Sequence, residues 1–153
     1  MEKQIPPEAI AALFERTARL LHSIGYAEGL YPAQWSALRY FSEVPPRQRT
    51  STALARYQAM SLGPVARTVR TMVQKGLLVT VGNPATQRQH LVALTKEGRA
   101  LLQKDPLVAI SEIIRSIPQA EKEALATALE FVILALLAAQ PHDLTPTSGE
   151  ENG

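Results

Sequence analysis

Between Thr50 and Leu94 the hydrophobic pattern switches from the three-to-four spacing of helices to the short apolar runs of strands. That switch narrows the choice of fold more than any other feature. Thr50-Ser51 can cap a helix holding Leu54, Ala55 and Tyr57, and Ser61 can cap a second that runs to Lys75 and closes at Gly76. Pro64 falls in the first turn of the second helix, where a missing N–H costs little. Leu77-Leu78-Val79-Thr80-Val81 then reads as a strand, Gly82-Asn83-Pro84 as a turn and His90-Leu91-Val92-Ala93-Leu94 as the returning strand. Two short helices joined by a tight turn and followed by a β-hairpin make a winged helix-turn-helix. The expected class is mainly α, with a small α+β winged unit.

The flanking segments are helical. Ile10, Leu13, Phe14, Ala18, Leu21 and Ile24 recur at helical spacing up to Gly25, and Tyr31-Pro32 opens a short helix carrying Trp35, Leu38 and Phe41 that ends at Pro45-Pro46. A further helix is expected from Thr95, kinked or broken at Asp105-Pro106, and a last one from Pro118 to Ala139. Residues 141–153 are rich in Pro, Ser, Thr and Glu and read as a disordered tail. The expected division is an N-terminal helix in 1–30, the winged unit in 31–99, C-terminal helices in 100–140 and the tail in 141–153.

Charge separates along the same boundaries. Residues 47–99 hold nine of the sixteen Lys and Arg residues but one acidic residue, Glu97, whereas residues 100–153 hold three basic and eight acidic residues. A polyanionic partner for the middle segment is the natural inference. On the second helix Val65, Val69, Met72 and Val73 form the core-facing stripe, while Gly63, Arg67, Arg70, Thr71 and Gln74 share the other face. Such a helix can enter the major groove of double-stranded DNA, with Gly63 and Pro64 keeping its leading end slim. The candidate DNA contacts are Ser61, Gly63, Pro64, Arg67, Thr68, Arg70 and Thr71 on this helix, Arg49 and Ser51 in the approach to the helix-turn-helix, and Gln87 and Arg88 on the wing tip. Arg67 is the best candidate for a base or nearby phosphate, and Arg88 for the negative potential of the minor groove. A basic helix also fits an acidic protein partner, or a DNA binder without sequence preference. Exposed apolar anchors on 61–75 would favour the protein partner, and that face carries mainly Arg, Thr, Gln and Gly.

Tyr31 through Leu38, Leu54-Ala55, Ser61 through Val65, Lys75-Gly76-Leu77-Leu78 and Val92-Ala93-Leu94-Thr95-Lys96-Glu97-Gly98 occur in an order and spacing that resembles the MarR family of bacterial transcription regulators. The resemblance covers roughly residues 8–139. It implies a homodimer, most simply a repressor on a pseudo-palindromic operator. The wing departs from the family pattern of Asp-Pro, one residue, then Asp-Arg-Arg: it reads Asn83-Pro84-Ala85-Thr86-Gln87-Arg88, so the pattern holds only at Pro84 and Arg88. Binding is therefore expected to lean more on the helix than on the wing.

The implied dimer has support in the sequence itself. Leu125, Leu129, Val132, Ile133 and Leu136, with Ala128 and Leu137, make a broad apolar stripe on the last helix, and four alanines make much of the rest small. Such a helix is unstable in water on any side. The resemblance also implies a small aromatic ligand between the dimer helices and the winged unit, with Leu13, Phe14, Trp35, Leu38 and Tyr40 as candidate lining residues, although each is more often plain core. The ligand's identity does not follow. His22, His90 and His142 are isolated, so no metal is expected, and no nucleophile motif or phosphate loop points to an enzyme or a cofactor. The absence of cysteine and of an apolar stretch long enough for a bilayer leads to the expectation of a soluble cytoplasmic protein with no membrane partner.

Overall fold

The computed structural model describes residues 4–82 and 90–140. The described residues form seven α-helices and one two-stranded antiparallel sheet. Helix α1 (Pro7–Ile24) and helix α2 (Pro32–Glu43) both start with proline at their first position, where its fixed φ suits the helix. Between them Glu28 and Gly29 adopt φ values of 54° and 72°, and the Leu30 amide donates to the Ala27 carbonyl at 2.9 Å. Two successive positive φ values make this a type I′ turn.

A short 3-10 turn (Pro46–Gln48), absent from the sequence reading, leads to α3 (Ser51–Gln58). Thr50 caps α3, its hydroxyl accepting the Ala53 amide at 3.1 Å. The helix ends through Ala59 in the left-handed conformation, with the Met60 amide donating to the Ala55 carbonyl at 3.0 Å. A residue with a Cβ there costs roughly 1–2 kcal/mol relative to glycine. This is the tight turn of the helix-turn-helix. Helix α4 (Leu62–Gln74) follows, with Ser61 at the N-cap position, but the Ser61 hydroxyl makes no cap bond. At its far end Gly76 sits at φ 73°, and Gly76 and Leu77 donate to the Val73 and Met72 carbonyls, both at 3.0 Å. That is the Schellman ending the sequence foresaw.

Strands β1 (Leu78–Val81) and β2 (Leu91–Leu94) pair with Leu78 opposite Leu94 and Val81 opposite Leu91. Helix α5 (Lys96–Leu101), a 3-10 turn (Leu102–Lys104), α6 (Leu107–Arg115) and α7 (Gln119–Ala139) complete the chain. The segment after Thr95 is thus broken rather than kinked at Asp105-Pro106, because Pro106 lacks an amide and the Asp105 carboxylate caps the Leu107 amide at 2.9 Å.

Among the described residues, every buried apolar side chain lies between Leu30 and Leu94, centred on Trp35, Leu38, Phe41, Leu54, Val65, Met72 and Leu78. Val73, expected in the core, is only partly buried at its edge. Helices α1, α6 and α7 contain no buried residue. The core therefore fixes α4 against α2, α3 and the sheet, and leaves the apolar faces of the terminal helices largely uncovered among the described residues. Tyr40 is buried and donates to the Gln48 carbonyl at 3.1 Å, with Tyr57 packed against it at 5.0 Å between ring centroids. Burial, then the neighbouring Tyr57, raises the Tyr40 hydroxyl above the usual phenol value. Its stabilising contribution is complete below the unfolded value and is lost as pH climbs through the raised one. Urea titrations from pH 9 to 11 are expected to show a steeper loss of stability in the wild type than in Tyr40→Phe.

Candidate nucleic-acid interface

The core contact of α4 fixes what the helix presents outward. Val65, Val69 and Met72 point into the core, so Gly63, Arg67, Arg70 and Gln74 form an exposed line along the opposite side. No acidic residue occurs on α4. A Cβ built on Gly63 meets nothing within 4 Å, so packing gives no reason for glycine at a helical position. Thr68 is half-buried and its hydroxyl donates to the Pro64 carbonyl at 3.1 Å, while Thr71 is also half-buried.

The electrostatics match. Among the described residues there are four ion pairs: Arg19–Glu15, Arg39–Asp105, Lys104–Glu28 and Arg115–Glu112. All lie outside the basic segment 47–99. Three cations within it serve backbone carbonyls instead: Arg49 Nε donates to Val44 at 3.1 Å, Lys75 Nζ to Gly29 at 3.1 Å and Arg99 Nη1 to Leu94 at 3.0 Å. Arg47, Arg56, Arg67, Arg70 and Lys96 are exposed, with no side-chain hydrogen bond or ion pair among the described residues. A face with uncompensated positive charge on and around an exposed helix attracts a polyanion.

A sequence model of the MarR family matches residues 28–89. The fold agrees over a longer span. A probable transcriptional regulator from Pseudomonas aeruginosa, 27% identical, aligns over 80% of this chain and 96% of its own, with a TM-score of 0.63. A mutant MarR from E. coli, solved in complex with operator DNA, is 22% identical over 82% of this chain and 91% of its own, with a TM-score of 0.62. The transcriptional regulator BldR from Sulfolobus solfataricus is 20% identical over 84% and 91%, with a TM-score of 0.65. No curated protein matches the sequence.

Over residues 28–89 the chain is similar to the MarR family. Members of that family are transcription regulators rather than enzymes, and the mainly helical winged fold is theirs.

Within this MarR-family fold the candidate residues do not all stand alike. Ser61, Gly63, Pro64, Arg67 and Arg70 are exposed together on or at the start of α4. Ser51 is half-buried at the first position of α3. Arg49 is half-buried and structural: its guanidinium holds the Val44 carbonyl and its own carbonyl accepts the Val92 amide at 2.8 Å, tying β2 to the approach loop. Gln87 and Arg88 lie outside the described residues, as does the 141–153 tail. Arg56 received no role from the sequence. It lies opposite the Leu54–Ala55 core contact of α3, a signal available from helical spacing alone.

The candidate ligand-lining residues differ in burial. Trp35, Leu38 and Tyr40 are core, whereas Leu13 and Phe14 are exposed on α1. A shallow depression on α1 is lined by Glu15, Ala18, Arg19, His22, Ser23 and Tyr26, none of them in that set. Among the described residues no cluster of His, Asp or Glu suits a metal, and no helix is long and apolar enough to cross a membrane.

Proposed function

We propose that this chain is a homodimeric, sequence-specific DNA-binding transcription regulator, a repressor whose α4 enters the major groove of each half of a pseudo-palindromic operator. The observation that carries the reading is the exposed line Gly63, Arg67, Arg70 and Gln74, basic and free of acid, with Leu62 at the first position the one large apolar side chain that α4 exposes. Arg67 reads a base edge, while Arg70 and Arg56 meet phosphates. Arg88 and Gln87 reach the minor groove from the wing. That a relative from E. coli is solved on operator DNA supports the same role here.

The terminal helices form the dimer. Leu125, Ile133 and Leu136 are exposed and Leu129 and Val132 half-exposed on one side of α7, while Phe131 (73% exposed) and Leu134 (68%) crowd the other. A helix apolar on both sides needs cover on both sides. The sequence reading of a single broad stripe therefore understated the area that a second copy would bury. A small aromatic effector between the dimer helices and the winged unit belongs to this reading through the family resemblance.

Gly63 supplies the test. Alanine at this position has room in the protein and favours the helix, so Gly63→Ala is expected to raise stability by about 0.5 kcal/mol. Gly63→Leu starts from the same open space around its Cβ but occupies the space of an approaching duplex. Affinity for selected DNA is expected to fall from Gly to Ala to Leu while the unfolding midpoint does not fall. Unchanged affinity in Gly63→Leu, measured by fluorescence anisotropy, would remove α4 from the groove.

A further inference from the structure

One ion pair differs from the others in burial and in place. Arg39 Nε donates to Asp105 Oδ2 at 2.7 Å, with side chains 27% and 10% exposed, whereas the other three pairs are 43–79% exposed. Arg39 stands on α2, the helix most deeply set in the core. Asp105 stands at the break before α6, where its second oxygen caps the Leu107 amide at 2.9 Å. One carboxylate thus fixes both where α6 starts and how that start is held against the winged unit. Beyond it α6 and α7 have no buried residue, so packing within the chain does little to set their direction.

We infer that Arg39 and Asp105 are positioning residues that set the spacing between the two half-sites the dimer accepts. This rests on the proposal of a dimer spanning two half-sites. The magnitudes are suitable. The 21 residues of α7 make a lever of about 31 Å at about 1.5 Å per residue. On such an arm a rotation of about 6° moves the far end by about 3 Å, close to the rise of one base pair at about 3.4 Å. A joint loosened by a few degrees therefore accepts a spacer one base pair too long or too short. A salt bridge with a directional hydrogen bond, largely shielded from water, restrains such a rotation better than an exposed pair does.

The experiment uses the full chain and a duplex selected from a random pool, remade with one or two base pairs added to or removed from its centre. The wild type is expected to lose about tenfold or more in affinity for a one-base-pair change, because half-site spacing is a geometric property of a rigid dimer. Arg39→Gln removes the pair and leaves the cap on Leu107. Asp105→Asn keeps a capping oxygen and removes the charge. Both are expected to flatten the spacing profile to within about threefold while binding the parent duplex at near wild-type strength. Loss of affinity that is equal at every spacing, in parallel with a lower melting temperature, overturns the proposal, because stability alone cannot change the profile's shape. A wild type that selects a palindrome but tolerates altered spacing overturns it while leaving the dimer reading intact. A wild type that selects no palindrome overturns both.

Discussion

Replacing Gly98 by alanine is expected to destabilise the protein by about 3 kcal/mol, at the upper end of the range for overpacking a tight site. A Cβ on Gly98 would stand 2.2 Å from the Leu77 carbonyl oxygen, a backbone atom with no rotamer to give way. That oxygen already accepts the Thr95 amide at 3.1 Å. The Thr95 hydroxyl donates to the Gly76 carbonyl at 2.6 Å and accepts the Gly98 amide at 3.0 Å. One methyl group therefore pushes against the joint where the end of α4, the start of β1 and the cap of α5 meet. The family-like Leu94-Thr95-Lys96-Glu97-Gly98 run has here its physical reason. Urea unfolding followed by circular dichroism checks the effect: the midpoint is expected to drop with an unchanged slope. A loss below about 1 kcal/mol would mean that α5 can move off Leu77 cheaply, contrary to the packing seen.

The second large effect falls on binding. Arg67→Ala is expected to weaken binding to selected DNA by about 1–3 kcal/mol, from several-fold to more than a hundredfold, and to relax the preference at one position of each half-site. Arg67 is exposed on the α4 line and has no acidic neighbour to release, so the loss falls on the complex rather than on the fold. Arg70→Ala serves as the contrast. If Arg70 meets phosphate, its loss weakens every sequence alike and reduces the slope of log K against log salt by about 0.9. Titrations at several salt concentrations on matched and mismatched duplexes separate the two residues. Wild-type affinity in Arg67→Ala would remove the base-reading role.

Most of the winged unit was legible because its elements are locally consistent. Thr50 and Thr95 cap the helices they precede, Gly76 ends α4, and both strands lie within one residue of the expected runs. The parts that were not legible depend on tertiary context. Ala59 and Glu28 occupy left-handed positions that sequence rules reserve for Gly or Asn. Arg49 looked like a free cation until the chain placed the Val44 carbonyl beside it. The pairing of Arg39 with Asp105 spans a sequence distance that no local pattern reports. Periodicity did mark Leu125, Leu129, Val132, Ile133 and Leu136 as one face of α7. The weight of Phe131 and Leu134 on the other face shows only once no helix of the chain covers them.

Selection of bound duplexes from a random pool tests the central claim most directly, because it reads specificity and symmetry in one measurement. The account predicts enrichment of an inverted repeat whose half-site centres lie about one helical turn apart, roughly 34 Å along the duplex. A pool that remains random after repeated rounds, or that converges on a single asymmetric site, would contradict it.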